Sequence, residues 1–178
     1  MSRAVLVLDA SPLNHFARAG YLATLQKLLA GHDCVTTRAV IGELAKGAER
    51  HREIGDAVDL EWISVVRCDE LRELYLFAQY MKQLGNEERN AGEASVLAWA
   101  EANGAVAYVD DQVACNIGRN RGVTVHRTLH LVVNAVRADL MTEDAAQALV
   151  RSLMDSDARF PAAAGDDLFG WARSQHLF

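Results

Sequence analysis

The stretch Ala4-Val5-Leu6-Val7-Leu8-Asp9-Ala10-Ser11-Pro12 constrains the fold most. An apolar run ends in a single acid. A capping Ser and a Pro suited to the first helical position then predict a helix. A short apolar run stopped by a turn signal reads as a strand buried on both faces, which belongs in the middle of a parallel sheet. Asp9 therefore stands where a central strand ends, the place where open α/β sheets build their sites. A solvated turn aspartate would read the same in isolation. What decides is whether other acids converge on Asp9.

The chain has 178 residues, 51% of them hydrophobic. That supports one domain with a sizeable core and argues against disorder. We take residues 1–178 as one unit, with a core over about 4–140 and a helical extension over about 141–178. No apolar run is long enough to span a membrane, and the N-terminal run is too short for a signal peptide. Cys34, Cys68 and Cys115 are odd in number and widely spaced, which speaks against a disulfide framework or a cysteine zinc site and fits the cytoplasm. The formal charge of −6 argues against a nucleic-acid coat protein. It leaves a nuclease open, since bound cations would offset clustered carboxylates.

Along the chain, strands are predicted at Ala4–Leu8, Cys34–Thr36, Trp62–Val66, Ala105–Val109 and Val123–Val125. Helices alternate with them, several stopped by a glycine: Gly20, Gly31, Gly85, Gly104 and Gly122. The polar run Glu49–Asp56 reads as a loop or a fraying helix end. From Thr142 onward everything is helix-like: Thr142–Asp155, a break at Phe160-Pro161, then Asp166 to about His176. The alternation indicates a three-layer α/β/α arrangement around a parallel sheet of four to five strands. Right-handed crossovers put the first and fourth strands side by side, so Asp9 and Asp110-Asp111 flank the switch point.

Two more acids join these. Glu43 lies mid-helix after the second strand, and Glu93 lies in the first turn of a later helix, on a face with Val96, Leu97 and Ala100. An acid on an apolar face is unusual unless it is paired or binds metal. Each has a plain structural reading as well. Asn90 with Glu93 makes a capping-box spacing, Asp111 suits an N-cap, and Glu43 suits a solvated helix face. Together at strand ends and first helical turns, they favour one shared site. Gathered carboxylates repel, so a hard divalent cation is the natural counter-charge, and oxygen ligands favour magnesium or manganese. Such a cation can activate water and clamp a phosphate.

This pattern resembles the PIN domain, a family of metal-dependent nucleases, and in particular the VapC-type toxins and their bacterial relatives. The matching blocks are Val7–Ser11, Thr36-Thr37 to Glu43, Gly92–Ala100, Tyr108–Asp111 with Ala114 and Gly122, and Val125–Leu131 with Thr128. The resemblance covers roughly residues 4 to 140. It implies that Asp9, Glu43, Glu93 and one of Asp110 and Asp111 are the metal-site acids, with both aspartates near the metal. It implies support from Ser11 and Thr128, Mg2+ or Mn2+ as cofactor, RNA as substrate, a cognate antitoxin and a homodimer. In the last block relatives usually show Gly-Thr-x-Gly, where this chain has Arg127-Thr128-Leu129-His130.

Arg119, Arg121 and Arg127 cluster in sequence after Asp111 and are candidate RNA contacts, or equally solvated helix ends. His126 and His130 have a spacing that can place two ligands on one helical face, but no acid accompanies them, and a surface position is expected. The acids after Thr142, including Asp155, Asp157, Asp166 and Asp167, follow no strand, so that segment is expected to be structural or partner-binding. The leading function is a metal-dependent endoribonuclease, the toxin of a toxin–antitoxin pair. A catalytically silent PIN-like binding protein is the alternative. A phosphatase with Asp9 as nucleophile ranks below both, because Ser11 stands where a second aspartate is needed.

Overall fold

The computed structural model describes residues 4–177. Five strands, β1 (Val5–Leu8), β2 (Asp33–Thr37), β3 (Ser64–Val66), β4 (Val106–Tyr108) and β5 (Val125–His126), form one all-parallel sheet in the order β3-β2-β1-β4-β5. The order puts β1 at the centre, as its apolar run demands: Leu6, Val7 and Leu8 are buried. Register aligns the strand ends. Leu8 lies opposite Thr36 on one side and Tyr108 on the other. The Asp9 N–H donates to the Tyr108 carbonyl at 3.0 Å, and the Thr36 hydroxyl donates to the Leu8 carbonyl at 2.8 Å.

The flanking helices are α1 (Ala10–Arg18), α2 (Leu22–Leu28), α3 (Arg38–Ala48), α4 (Leu71–Gln83), α5 (Ala91–Asn103), α6 (Gln112–Asn120) and α7 (Thr128–Arg137). Helix α5 is buried nearly all round, at Gly92, Ala94 to Ala98 and Ala100, and its small residues let α4 and the sheet approach closely. The chain ends in α8 (Glu143–Asp155), α9 (Ala162–Asp166) and α10 (Leu168–Ser174). Leu149, Val150, Leu153, Leu168 and Phe169 from these helices join the same buried cluster as the sheet residues. No helix among the described residues is long and apolar enough to cross a membrane.

The structure moves several predicted boundaries. Helix α1 starts at Ala10, and Asp9, not Ser11, is its N-cap. The last strand is Val125–His126 rather than Val123–Val125, because the Val123 N–H is spent on the Gly118 carbonyl in the turn that closes α6. That turn needs Gly122, whose φ is 85°. The polar run after Glu49 includes a 3-10 turn, Arg52–Ala57, that buries Ile54 and Ala57. The expected last helix, Asp166 to about His176, is found as Leu168–Ser174, and a short helix not expected, Ala162–Asp166, precedes it. Asp167 is extended at φ −144° and ψ 92°, and its carboxylate accepts the Gly170 N–H at 2.8 Å, so it caps α10.

Candidate active site

Four acids reach the carboxyl edge of the sheet from four elements: Asp9 after β1, Glu43 on α3, Glu93 in the first turn of α5, and Asp111 as the N-cap of α6. Thr37 ends β2 and caps α3, accepting the Val40 N–H at 3.3 Å. Its hydroxyl also shares a buried 2.6 Å hydrogen bond with Ser95, so the start of α3 is tied to the first turns of α5. Glu43, further along α3, accepts the Gly92 N–H at 2.9 Å. A Cβ at position 92 would lie 2.6 Å from that same carboxylate oxygen, so any other residue there would push the Glu43 carboxylate aside. The sequence showed Gly92 beside Glu93 but held no sign of this contact.

The capping-box reading of Glu93 fails. The Asn90 side chain donates to the Leu84 carbonyl and caps nothing. Glu93 instead carries a buried oxygen, Oε2, with no hydrogen-bond partner. Asp9 is 2% exposed and also holds one buried oxygen, Oδ1, without a partner. Its other oxygen accepts from the Ser11 N–H at 3.3 Å and the Ser11 hydroxyl at 3.2 Å.

Burial raises the Asp9 carboxyl to a pKa of about 7, and the charge of Glu93 adds to the rise. Burial, then the charge of Asp9, also brings Glu43 to about 7. Glu93 is raised by burial, with Glu43 and Asp111 contributing. Repulsion thus links all four acids.

Asp110 is different. Its Oδ1 accepts the Thr128 N–H at 2.8 Å, and its Oδ2 accepts the Thr128 hydroxyl at 2.7 Å and lies 3.2 Å from His15 Nε2. Burial alone would raise this carboxyl, but the hydrogen bonds from His15 and Thr128 outweigh it and hold the pKa below the ordinary value. Asp110 is saturated, whereas the exposed Asp111 spends one oxygen on the Ala114 N–H at 2.8 Å. The two neighbours therefore differ, although both were expected near a metal. His15 was not singled out in the sequence. Only the fold brings α1 and the end of β4 together.

The three arginines do not form one patch. Arg121 lies at the far end of α6 from Asp111, ion-paired with Glu101 at 2.8 Å and stacked over Tyr80 at 4.8 Å. Arg119 reaches back to the Val125 carbonyl at 2.9 Å. Arg127 alone stands at the acidic edge, gripping the Asp110 carbonyl at 2.7 and 3.1 Å. The two histidines are half-buried rather than on the surface. His126 sits on β5, His130 on α7, and their rings are 5.3 Å apart.

A family model described as a PIN domain matches residues 5–168. The chain belongs to the PIN-domain family. PIN domains are generally nucleases and typically use divalent metals. Among curated proteins no significant match is found. The donor set of this PIN domain fits such an ion: the side-chain donor atoms of the four acids are all oxygens, and two of them, on Asp9 and Glu93, are buried without a hydrogen bond. Among the described residues no three acidic, His or Cys side chains are already gathered into a ligand set. The PIN carboxylates would have to close in on a cation that neutralises their repulsion.

Proposed function

We propose that the protein is a divalent-metal-dependent endoribonuclease. The single observation behind this is the pair of buried, partnerless carboxylate oxygens on Asp9 and Glu93. Asp9, Glu43, Glu93 and Asp111 would hold the metal, with magnesium or manganese suited to oxygen ligands. A divalent ion bound there supplies Lewis acidity toward a phosphate oxygen and makes water a better nucleophile at neutral pH. The chain's own residues do the rest. Ser11 fixes the rotamer of Asp9, Gly92 admits and orients Glu43, and Thr128 with His15 lock the Asp110 end of β4 so that Asp111 stays in place. Arg127, held at the acidic edge, is the arginine best placed to meet an RNA phosphate.

The biological assignment, the toxin of a toxin–antitoxin pair with a cognate antitoxin and a homodimeric state, rests on the resemblance of the sequence blocks to VapC-type proteins. Its test is genetic: expression alone should arrest growth, and co-expression of a small upstream reading frame should restore it. The enzymatic test uses purified protein, single-stranded RNAs of varied sequence and manganese. Cleavage that stops with EDTA supports the nuclease. Silence on every RNA, together with tight binding to a partner protein, favours a catalytically silent PIN-like binding protein.

A further inference from the structure

A cleft of about 230 Å³ lies between the acidic edge and the C-terminal extension. Leu129 from α7 and Phe160 and Trp171 from the extension give it an apolar lining, and Arg127 and Arg159 give it two cations. Asp110 also lines it, but its carboxylate is already occupied by Thr128 and His15. Phe160 is braced edge-on against the His15 ring, centroids 5.1 Å apart. The network that locks Asp110 thus also fixes one wall of the cleft. Two of the five Arg127 guanidinium donors grip the Asp110 carbonyl, which pins that side chain and leaves the others for a ligand. Arg159 is exposed and makes no hydrogen bond or ion pair with the described residues.

We propose that this cleft binds one base of the RNA strand, on a nucleotide flanking the phosphate held at the acidic edge. This rests on the nuclease reading above and deepens it. Three observations converge. The volume falls below the ~300–1,000 Å³ of sites for drug-sized ligands and suits a single planar ring system. The lining pairs an aromatic indole with arginines, the combination on which unstacked bases of single strands stack. The cleft shares Asp110 with the edge where its neighbour Asp111 caps α6, so a strand seated in one passes the other. Of the lining residues Trp171 lies beyond residues 5–168 that match the family, whereas the others lie within them. The extension, expected to be structural or partner-binding, then contributes to substrate choice.

The test follows tryptophan fluorescence of the full-length protein on titration with a single-stranded RNA decamer in EDTA, and cleavage of the same RNA in manganese. Saturable quenching in wild type, absent from Trp171→Phe, is expected. Trp171→Ala and Arg159→Ala should raise KM about tenfold, in line with the loss of one stacked base, while the manganese-induced rise in melting temperature persists. Trp171→Phe, which keeps a smaller stacking face, should raise KM less than Trp171→Ala does; it and the surface change Arg159→Ala keep the test open if Trp171→Ala does not fold. Cleavage by wild type with KM unchanged in Arg159→Ala and Trp171→Ala, and no Trp171-dependent quenching, would overturn the cleft and leave the nuclease standing. Quenching by RNA, with no cleavage of this or any of the varied RNAs in manganese, would remove the nuclease and leave the cleft. Equal quenching by the matching single-stranded DNA would reject RNA as its particular ligand.

Discussion

Asp9 and Asp110 end neighbouring strands, both largely out of water, and their carboxyls are driven in opposite directions. Asp9 is raised to about 7, while Asp110 is held below its ordinary value. Burial pushes both upward, so burial does not distinguish them. Donors do. Asp110 receives a backbone N–H, a hydroxyl and an imidazole, all directed at its two oxygens. Asp9 has donors on one oxygen only, and it faces Glu93. At one strand end the fold has met the charge with its own groups. At the next it has left one carboxylate oxygen without a donor.

The sharpest break of that comparison is Asp9→Asn. Cleavage should fall to background, since a ligand is lost. In EDTA the variant should melt at or above the wild-type temperature, because repulsion with Glu93 is gone while the amide oxygen can still accept from Ser11. Saturating manganese at ~100 times its dissociation constant should add about 2.7 kcal/mol to wild type and little to the variant. A destabilised Asp9→Asn, with a wild-type melt indifferent to manganese, would mean that Asp9 is only a helix cap.

Asp110→Asn should do the reverse. The new amide group faces the Thr128 hydroxyl and His15 with the wrong hydrogen-bonding character, so the folded state should lose ~1–3 kcal/mol, read by denaturant unfolding. Manganese should still raise its melting temperature. If that rise vanished in a folded Asp110→Asn protein, Asp110 would have to be counted among the ligands after all.

A third effect is a slope with pH. In EDTA, the raised Asp9 carboxyl holds a proton in the folded state that the unfolded chain has released, so its contribution is full below its ordinary 3.8 and is lost as pH rises toward about 7. Asp110 acts the other way: its contribution is present above 3.8 and is lost as pH falls through its depressed folded value. Wild-type stability should therefore decline between about pH 4 and 7, and Asp9→Asn should flatten that decline. An identical slope in the two proteins would show that Asp9 is not the group responsible.

Much of this was legible before the fold was known. The apolar run into Asp9 and its echo at Tyr108-Val109-Asp110 located the central strands and their order, because a doubly covered strand leaves a continuous hydrophobic signature. Glu93 stood out on an apolar helix face. The division of labour between Asp110 and Asp111 was not legible, since it depends on His15 and Thr128, which the chain brings in from opposite sides. The contact of Gly92 with Glu43 was equally hidden, as it joins two helices through a missing side chain. The arginines misled because closeness in sequence along α6 becomes distance in space: a helix of that kind advances about 1.5 Å per residue, carrying Arg121 away from the edge.

The pairing of Leu6 with Val106 has a consequence for how the protein comes into being. The first and last acids stand roughly a hundred residues apart, and the strand that brings them together is among the later ones to be made, in a parallel sheet whose long-range pairings form slowly. An unfinished chain leaving the ribosome carries Asp9, Glu43 and even Glu93 without the partner strand that completes their alignment. The constellation therefore comes into register only once synthesis has passed Asp111.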